Sequence, residues 1–472
     1  MLFANLNNLV IVPPRAFANT ANMPPLIYSP QTKMFLTATT AEIKALQKIQ
    51  KQTAGQDDQP AERYWLTYYK SLKNSRPELQ KFILHCFSFV PAKIKNNSDP
   101  YNMSISFFGD SKCNLKCLYC FNRNISPAKE KPFSLHFAAD VLESIYKQAH
   151  QTIAMIDFNY SGEPLLFFDK YKKLWALNQK IAKKYKKTPA NMGIVTNGLL
   201  LNDKIIDWLR KHNCWLGLSL DGGAEYTNAG RGEKTFERAI ANYQKIFARP
   251  EWTNERSVHA TISGLNPDVS RVFTELWDTG FRQIYIKPLR SETDQPYALN
   301  KKNLPKVLKG YRKLFALLAE DIAQGRLERL LSICNRFDYA GKFLGRIMIN
   351  RSVIRRCGGG YGMCSVRNNG DAYPCDTYAG RKRNKLGNIY KRVNWDKNLA
   401  PPVDELESCR FCKYRYLCGG PCPVWRDINN GDISVECAFN KALITECFRL
   451  AALIEQYPQE KKLIHEHFRY HL

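Results

Sequence analysis

Three cysteines in the stretch Cys113-Asn114-Leu115-Lys116-Cys117-Leu118-Tyr119-Cys120 are spaced C-x3-C-x2-C. Each can offer a thiolate to one iron of a cubane 4Fe–4S cluster, which normally takes four cysteines, so a triad leaves one iron open. A zinc knuckle would use the same residue type, but zinc sites usually space their pairs as C-x2-4-C with a fourth ligand downstream. An apolar, strand-like run with Ile105, Phe107 and Phe108 leads into the triad, and Tyr119 and Phe121 are its aromatic neighbours.

The remaining cysteines form a second set. Of the fifteen in the chain, nine lie between Cys357 and Cys447. Cys409, Cys412, Cys418 and Cys422 are spaced C-x2-C-x5-C-x3-C; Cys357 and Cys375 bracket a Gly370-Asp371 hairpin, and Cys437 follows. In a chain without a secretory signal such cysteines read as metal ligands or redox groups rather than disulfides. A zinc ribbon over 409–422 is the competing reading. Cys86, Cys214 and Cys334 are expected as buried, inert thiols and Cys447 as core of the terminal helix. Asp376 directly follows Cys375. A carboxylate beside a cluster could act as a proton acceptor, although an exposed hairpin acid would look the same.

The elements that must position these groups follow from hydrophobic periodicity. Residues 102–108, 153–160, 191–196, 214–220, 256–263 and 282–288 read as strands. Helices are expected near 134–149, 169–186, 202–212, 234–248 and 267–279. Alternation of this kind predicts an α/β fold with a parallel sheet, whose ligands gather at the carboxyl ends of the strands. Polar motifs stand in those places: Ser161-Gly162-Glu163-Pro164 after the second strand, Thr196-Asn197-Gly198 after the third, and Ser219-Leu220-Asp221-Gly222 after the fourth, with Arg231 before the next helix. Singly, each could be an ordinary βα turn. From Asn303 to about Ile354 the pattern is helical with basic faces.

A length of 472 residues predicts two or three domains. Near the N-terminus, Leu26-Ile27-Tyr28 and Met34-Phe35-Leu36 read as a hairpin, and Thr39-Thr40-Ala41-Glu42 opens a helix with Ile43, Leu46 and Ile49 on one face. Residues 52–60 read as a linker, and Tyr64 to Phe89 as helical. No apolar run reaches the roughly 18 residues of a membrane helix, so a cytoplasmic protein without membrane contact is expected. The formal net charge of +27 favours an acidic partner. No nucleic-acid-binding motif accompanies it, and an acidic peptide or redox carrier answers the charge as well.

The triad and the strand-end motifs together resemble the radical S-adenosylmethionine (SAM) superfamily, in which the open iron chelates the amino and carboxylate groups of SAM. The C-terminal cysteines resemble the seven-cysteine pattern of its SPASM extension, which holds two auxiliary 4Fe–4S clusters. The resemblance implies a partial (β/α)6 barrel at 96–330. Linker helices and a SPASM domain with a C-terminal helix would fill 331–472, and a small α+β extension 1–95, similar to leader-peptide-binding modules. It implies that Cys113, Cys117 and Cys120 hold the active cluster and that Ser161, Gly162, Glu163 and Pro164, with a serine where the family has glycine, meet the SAM ammonium. Thr196 and Asn197 would form the family's T-N-G turn, Ser219 and Asp221 would lie toward the ribose, and Arg231 would fork onto the SAM carboxylate. Cys357, Cys375 and Cys422 would bind the first auxiliary cluster, closed by Cys364, and Cys409, Cys412, Cys418 and Cys437 the second. The Cys375-Asp376 order and Leu386-Gly387-Asn388-Ile389 look like the anaerobic sulfatase-maturating enzymes, where that aspartate is a candidate base. The implied activity is a radical SAM oxidoreductase that installs a C–C, ether or thioether crosslink in a ribosomally made precursor peptide, with a flavodoxin- or ferredoxin-type reductant. Formylglycine formation on a sulfatase is the alternative. A non-catalytic iron–sulfur carrier or a basic nucleic-acid-binding protein would have no use for the SAM motifs.

Overall fold

The computed structural model describes residues 9–12, 26–29, 35–53, 65, 67–72, 76–88, 102–107, 112–121, 133–148, 152–157, 162–249, 251–252, 256–335, 337–360, 362–394 and 399–471. Ser161, Phe108, most of the 52–60 linker and the side chain of Cys86 lie outside them.

Near the N-terminus, β1 (Val10–Val12), β2 (Leu26–Tyr28) and β3 (Phe35–Thr37) make an antiparallel sheet, with Ile27 opposite both Ile11 and Leu36. β1 was not legible in the sequence. The helix Thr40–Thr53 begins with a reciprocal capping box: Thr39 Oγ1 accepts the Glu42 N–H at 3.2 Å, and the Glu42 carboxylate takes the Thr39 N–H. Its Ile43, Leu46 and Ile49 face inward, and with Ile27, Trp65, Leu79 and Phe82 they form a core of their own.

The second sheet has ten strands among the described residues. β4 (Asn102–Phe107), β5 (Thr152–Asp157), β6 (Asn191–Thr196), β7 (Trp215–Ser219), β8 (Ser257–Ile262) and β9 (Gln283–Pro288) are parallel and follow one another in chain order. The helices Leu135–Gln148, Phe168–Lys184, Asp203–Lys211, Thr235–Phe247 and Val269–Thr279 stand between them, each within two residues of the expected bounds. Side chains stop two of these helices' N-termini from fraying: Asn202 accepts the Ile205 N–H at 3.1 Å and Asp268 the Arg271 N–H at 3.3 Å. A short helix, Ala224–Arg231, was not expected, so Arg231 both ends a helix and stands before the expected one at Thr235–Phe247.

β10 (Met363–Val366) adds to the outer edge of β4 in parallel, and β11 (Asp371–Tyr373), β12 (Gly387–Asn388) and β13 (Arg392–Val393) continue antiparallel. The cysteine-rich region is thus stitched to the first strand of the parallel set. The helices Leu304–Ala323 and Tyr339–Met348 pack on the long helix Ser434–Ile454, and one apolar core runs from Ile105 to Phe468. Cys214, Cys334 and Cys447 are buried in it. Among the described residues no helix is long and apolar enough to cross a membrane.

Candidate active site

The loop Lys112–Phe121 carries the triad past the carboxyl end of β4 and is tied down at four points. Behind it, Glu163 N–H donates to the Lys112 carbonyl at 2.9 Å. That approach requires a glycine at 162: its φ is +112°, and a Cβ there would sit 2.1 Å from the same carbonyl oxygen. At the side, Asn197 Nδ2 donates to Asn114 Oδ1 at 2.7 Å and lies 3.9 Å from Cys113 Sγ. In front, Leu118 N–H donates to the Gly230 carbonyl at 2.9 Å, and the Tyr119 hydroxyl donates to Asp221 Oδ2. The strand-end motifs found in the sequence therefore converge on the cysteine loop.

Glu163 is buried and holds two strand ends together. Its Oε1 accepts from Leu165 N–H at 3.1 Å and Thr196 Oγ1 at 2.6 Å, and its Oε2 from Asn197 N–H at 2.9 Å. Pro164 opens the 3-10 turn that Glu163 caps. Burial pushes the Glu163 carboxyl up, against those three hydrogen bonds. A carboxylate has about four acceptor positions. Among the described residues, three of them are taken.

Asp221 is the hub of a second set. Arg231 forks onto it, Nε to Oδ2 at 2.9 Å and Nη2 to Oδ1 at 3.0 Å, and Thr261 N–H adds a bond to Oδ1 at 3.0 Å. The pair is almost fully enclosed, with Asp221 2% and Arg231 10% exposed. Burial opposes the Arg231 charge, but Asp221, Tyr119 and Cys117 outweigh it and the net direction is upward. The expectation of a fork held out to a ligand carboxylate does not describe this geometry. A buried guanidinium needs a carboxylate partner, and Asp221 supplies it. Ser219 stands half-buried at the carboxyl end of β7.

Cys113 is exposed and Cys117 and Cys120 are half-buried. Burial raises the thiols of Cys113 and Cys117, the latter to about 11, and the neighbouring thiols add to the rise. Three soft donors on one loop, close enough to feel one another's charge, fit a three-thiolate iron–sulfur cluster. Among the described residues, no three His, Cys, Asp or Glu side chains close in on a single metal ion.

The C-terminal cysteines fall into two groups. Cys409, Cys412, Cys418 and Cys437 line one small cavity, where Asn440 Nδ2 reaches Cys418 Sγ at 3.5 Å. Cys357, Cys375 and Cys422 are mutual electrostatic neighbours. Cys364 does not join them. Its side chain lies in the apolar core on β10, opposite Ile105, and burial alone pushes its thiol up to about 12. Its place there is set by the strand: a residue inside a central strand points where the pleat sends it.

Asp376 opens a 3-10 turn after Cys375, half-buried. Burial raises its carboxyl, against bonds from the Thr377 and Asp376 N–H groups and the charges of Arg290 and Lys287. A cavity of about 260 Å³ runs beside it, from Tyr119, Cys120 and Phe121 to Arg290, Thr377 and Arg381.

Sequence reasoning missed a chain of contacts linking that cavity to Cys422. Arg290 Nη2 donates to the Tyr339 hydroxyl at 2.6 Å, Arg356 Nη2 donates to the same oxygen at 2.7 Å and to Glu436 Oε1 at 3.0 Å, and Glu436 Oε2 accepts the Cys422 N–H at 2.8 Å. The available signal was that Arg356 and Glu436 each immediately precede a cysteine.

The family model of the radical SAM superfamily matches residues 111–250. A cysteine-type anaerobic sulfatase-maturating enzyme of Clostridium perfringens is 29% identical over 342 residues, 67% of this chain and 87% of the relative. A serine-type enzyme of Bacteroides thetaiotaomicron is 25% identical over 66% of this chain and 80% of its own length. Among solved structures, native anSMEcpe with bound AdoMet and Cp18Cys peptide has a TM-score of 0.60 at 22% identity, covering 76% of this chain and 99% of that one. With a cysteine loop clamped by the strand-end motifs of residues 162–231 and relatives that are sulfatase-maturating enzymes, the chain is an enzyme that carries a radical SAM domain over residues 111–250.

Proposed function

We propose that this enzyme matures a ribosomally made precursor peptide by oxidising one of its side chains and joining it to a neighbour. In this reading residues 96–330 form a partial (β/α)6 barrel, 331–472 the linker helices and SPASM domain, and 1–95 the module that grips the leader. When bound at Cys113, Cys117 and Cys120, a 4Fe–4S cluster with SAM supplies the 5′-deoxyadenosyl radical that removes a substrate hydrogen. The chain's own contribution is to fix the loop through Glu163, Asn197 and Asp221, to enclose the reacting segment in the cavity beside Cys120, and to hold a base there. Asp376 is that base. Its carboxyl is raised by burial, which moves it toward the working pH of a proton acceptor, while Arg290 and Lys287 pull in the opposite direction. Cys357, Cys375 and Cys422, and Cys409, Cys412, Cys418 and Cys437, would hold the auxiliary clusters.

The observation that carries the reading is the cavity spanning the triad loop and the Asp376 turn. The N-terminal sheet favours a leader-bearing peptide, since an antiparallel sheet can take an added strand. The sulfatase-maturing relatives and Asp376 beside Cys375 favour a second reading, formylglycine formation. One experiment separates them. Reconstituted, reduced enzyme is incubated with SAM and either a neighbouring precursor peptide or a sulfatase-derived peptide. Crosslinking removes two hydrogens and leaves nothing for a hydrazide to trap, whereas formylglycine gives a trappable aldehyde. Alanine at Cys113, Cys117 or Cys120 abolishes 5′-deoxyadenosine in either case; its persistence overturns the assignment of the triad.

A further inference from the structure

The cavity among the last four cysteines has an enclosed positive charge beside it that the chemistry just described does not use. Cys409, Cys412, Cys418 and Cys437 line it, and Cys418 ends the short helix Arg415–Cys418. The last carbonyls of a helix have no partner inside it. Two guanidinium groups answer them here: Arg346 Nη1 donates to the Leu417 carbonyl at 2.5 Å, and Arg356 Nη1 to the Cys418 carbonyl at 3.4 Å. The sulfur itself is reached from the helix Ser434–Ile454, where Asn440 Nδ2 stands 3.5 Å from Cys418 Sγ. Both arginines are buried, 7% and 4% exposed, and both feel the Cys418 thiolate.

The cations near these thiols do not count equally. Lys441, felt by Cys409 and Cys437, is exposed, so water and salt screen it. Lys413 is half-buried beside Cys412. Arg356 is matched by Glu436, 3.0 Å away and as deeply enclosed. Arg346 is different: its hydrogen bond goes to the Leu417 carbonyl and its ring contact is Phe343 at 5.9 Å, and neither carries a charge. Burial pushes Arg346 down to about 9 and Arg356 adds to the fall, which still leaves a cation at neutral pH, while the Cys418 thiolate pulls the other way. A buried cation of this kind needs an anion. An iron–sulfur cluster on four thiolates is one, and it becomes more negative on gaining an electron. Enclosure alone opposes that gain. A fixed positive charge and a hydrogen bond to a ligand sulfur favour it, and these are levers by which proteins set cluster potentials. We infer that Arg346 and the Asn440 amide raise the reduction potential of the cluster held by Cys409, Cys412, Cys418 and Cys437, so that this site accepts an electron more readily than its burial would allow. Both act through the cluster and are positioning residues. The inference rests on the reading of these cysteines as auxiliary-cluster ligands and adds which side chains set the poise.

The test is a redox titration of the full-length enzyme, reconstituted with iron and sulfide, at one fixed pH. Electron paramagnetic resonance follows the signal that the double variant Cys409→Ala, Cys412→Ala lacks. Arg346→Gln keeps an amide to donate to the Leu417 carbonyl but removes the charge. Its cluster should be roughly 10-fold harder to reduce, a midpoint lower by about 59 mV for a one-electron couple. Arg346→Lys restores the charge and should recover most of the wild-type midpoint. Asn440 Oδ1 has no hydrogen-bond partner among the described residues, so Asn440→Leu removes the bond to the sulfur alone and should make reduction several-fold harder. Signals that survive in the double cysteine variant should not move. Iron content and thermal melting confirm that each variant is folded. The inference is overturned if Arg346→Gln with full iron keeps the wild-type midpoint, or if Arg346→Lys falls as far as Arg346→Gln, which would make the effect one of packing. An unmoved midpoint in Asn440→Leu overturns it too, whether or not the Arg346 variants hold iron. Failure of the auxiliary-cluster reading looks different: the double cysteine variant then keeps the iron and every signal of the wild type.

Discussion

Asp221 offers the sharpest test of how the cysteine loop is held. Asp221→Asn keeps the shape and removes the charge. The Arg231 fork then meets an amide that can offer one oxygen and must turn an NH2 toward the other guanidinium nitrogen, and a buried cation is left unpaired. Breaking a buried pair from one side costs ~3–5 kcal/mol. The surviving amide oxygen keeps part of the fork, so about 3 kcal/mol is the working figure. Unfolding entropy near 2.1 cal/mol/K per residue gives about 1 kcal/mol/K for 472 residues, so calorimetry on the metal-free protein should show melting lowered by about 3 °C. Tyr119→Phe removes one charge-assisted bond to the same carboxylate, ~1.5–3 kcal/mol, while leaving Asp221 and Arg231 paired. The three groups share one carboxylate, so the double variant should fall short of the sum by about 1 kcal/mol. Because Tyr119 lies between Cys117 and Cys120, both variants should also lose iron from the triad more readily to a chelator. A cost under about 1 kcal/mol for Asp221→Asn, or strict additivity with Tyr119→Phe, would refute the claim that these side chains work as one unit.

Further outcomes follow from neighbouring contacts. Gly162→Ala forces a side chain into the Lys112 carbonyl at a backbone conformation that strains other residues by ~1–3 kcal/mol; melting should drop by a few degrees and SAM cleavage should fall with it, and a variant that cleaves SAM normally would show that Lys112 is not fixed by this turn. Lys287 is pushed down to about 8 by burial and by Arg290. Between pH ~8 and ~10.4 the unfolded chain therefore carries the extra proton, so wild type should gain stability relative to Lys287→Met as pH rises, by at most about 1.36 kcal/mol per unit, with no relative change below that window. Parallel denaturation curves at pH 7 and pH 10 would contradict it. Asp376→Asn should still yield 5′-deoxyadenosine while modified peptide falls by roughly 10²-fold, the scale of a positioned base; an unchanged ratio of product to 5′-deoxyadenosine would move the base elsewhere.

The parallel set β4–β9 was legible because each strand is an apolar run between helices of clear period, and the backbone follows such runs with little choice. The triad and the motifs at Gly162, Thr196 and Asp221 were legible for a related reason: chemistry and turn geometry restrict the residue type at adjacent positions. What escaped the sequence lies in contacts across large separations. Nothing local says that Arg231 will spend its fork on Asp221 rather than on a ligand, or that Tyr339 will accept hydrogen bonds from both Arg290 and Arg356. The surroundings of Cys364 escaped because spacing cannot reveal which side of a strand a residue faces. That depends on register, and register here is set by β10 pairing with β4, a partner more than 250 residues away. The same pairing has a functional consequence. It brings the Asp376 turn and Arg367, which belong to the cysteine-rich region, to the end of the sheet where the triad loop lies, so the cavity is built jointly by both regions. Under the proposed function, a peptide lodged there would touch the triad loop on one wall and the Asp376 turn on the other, the juxtaposition that hydrogen abstraction followed by proton removal requires.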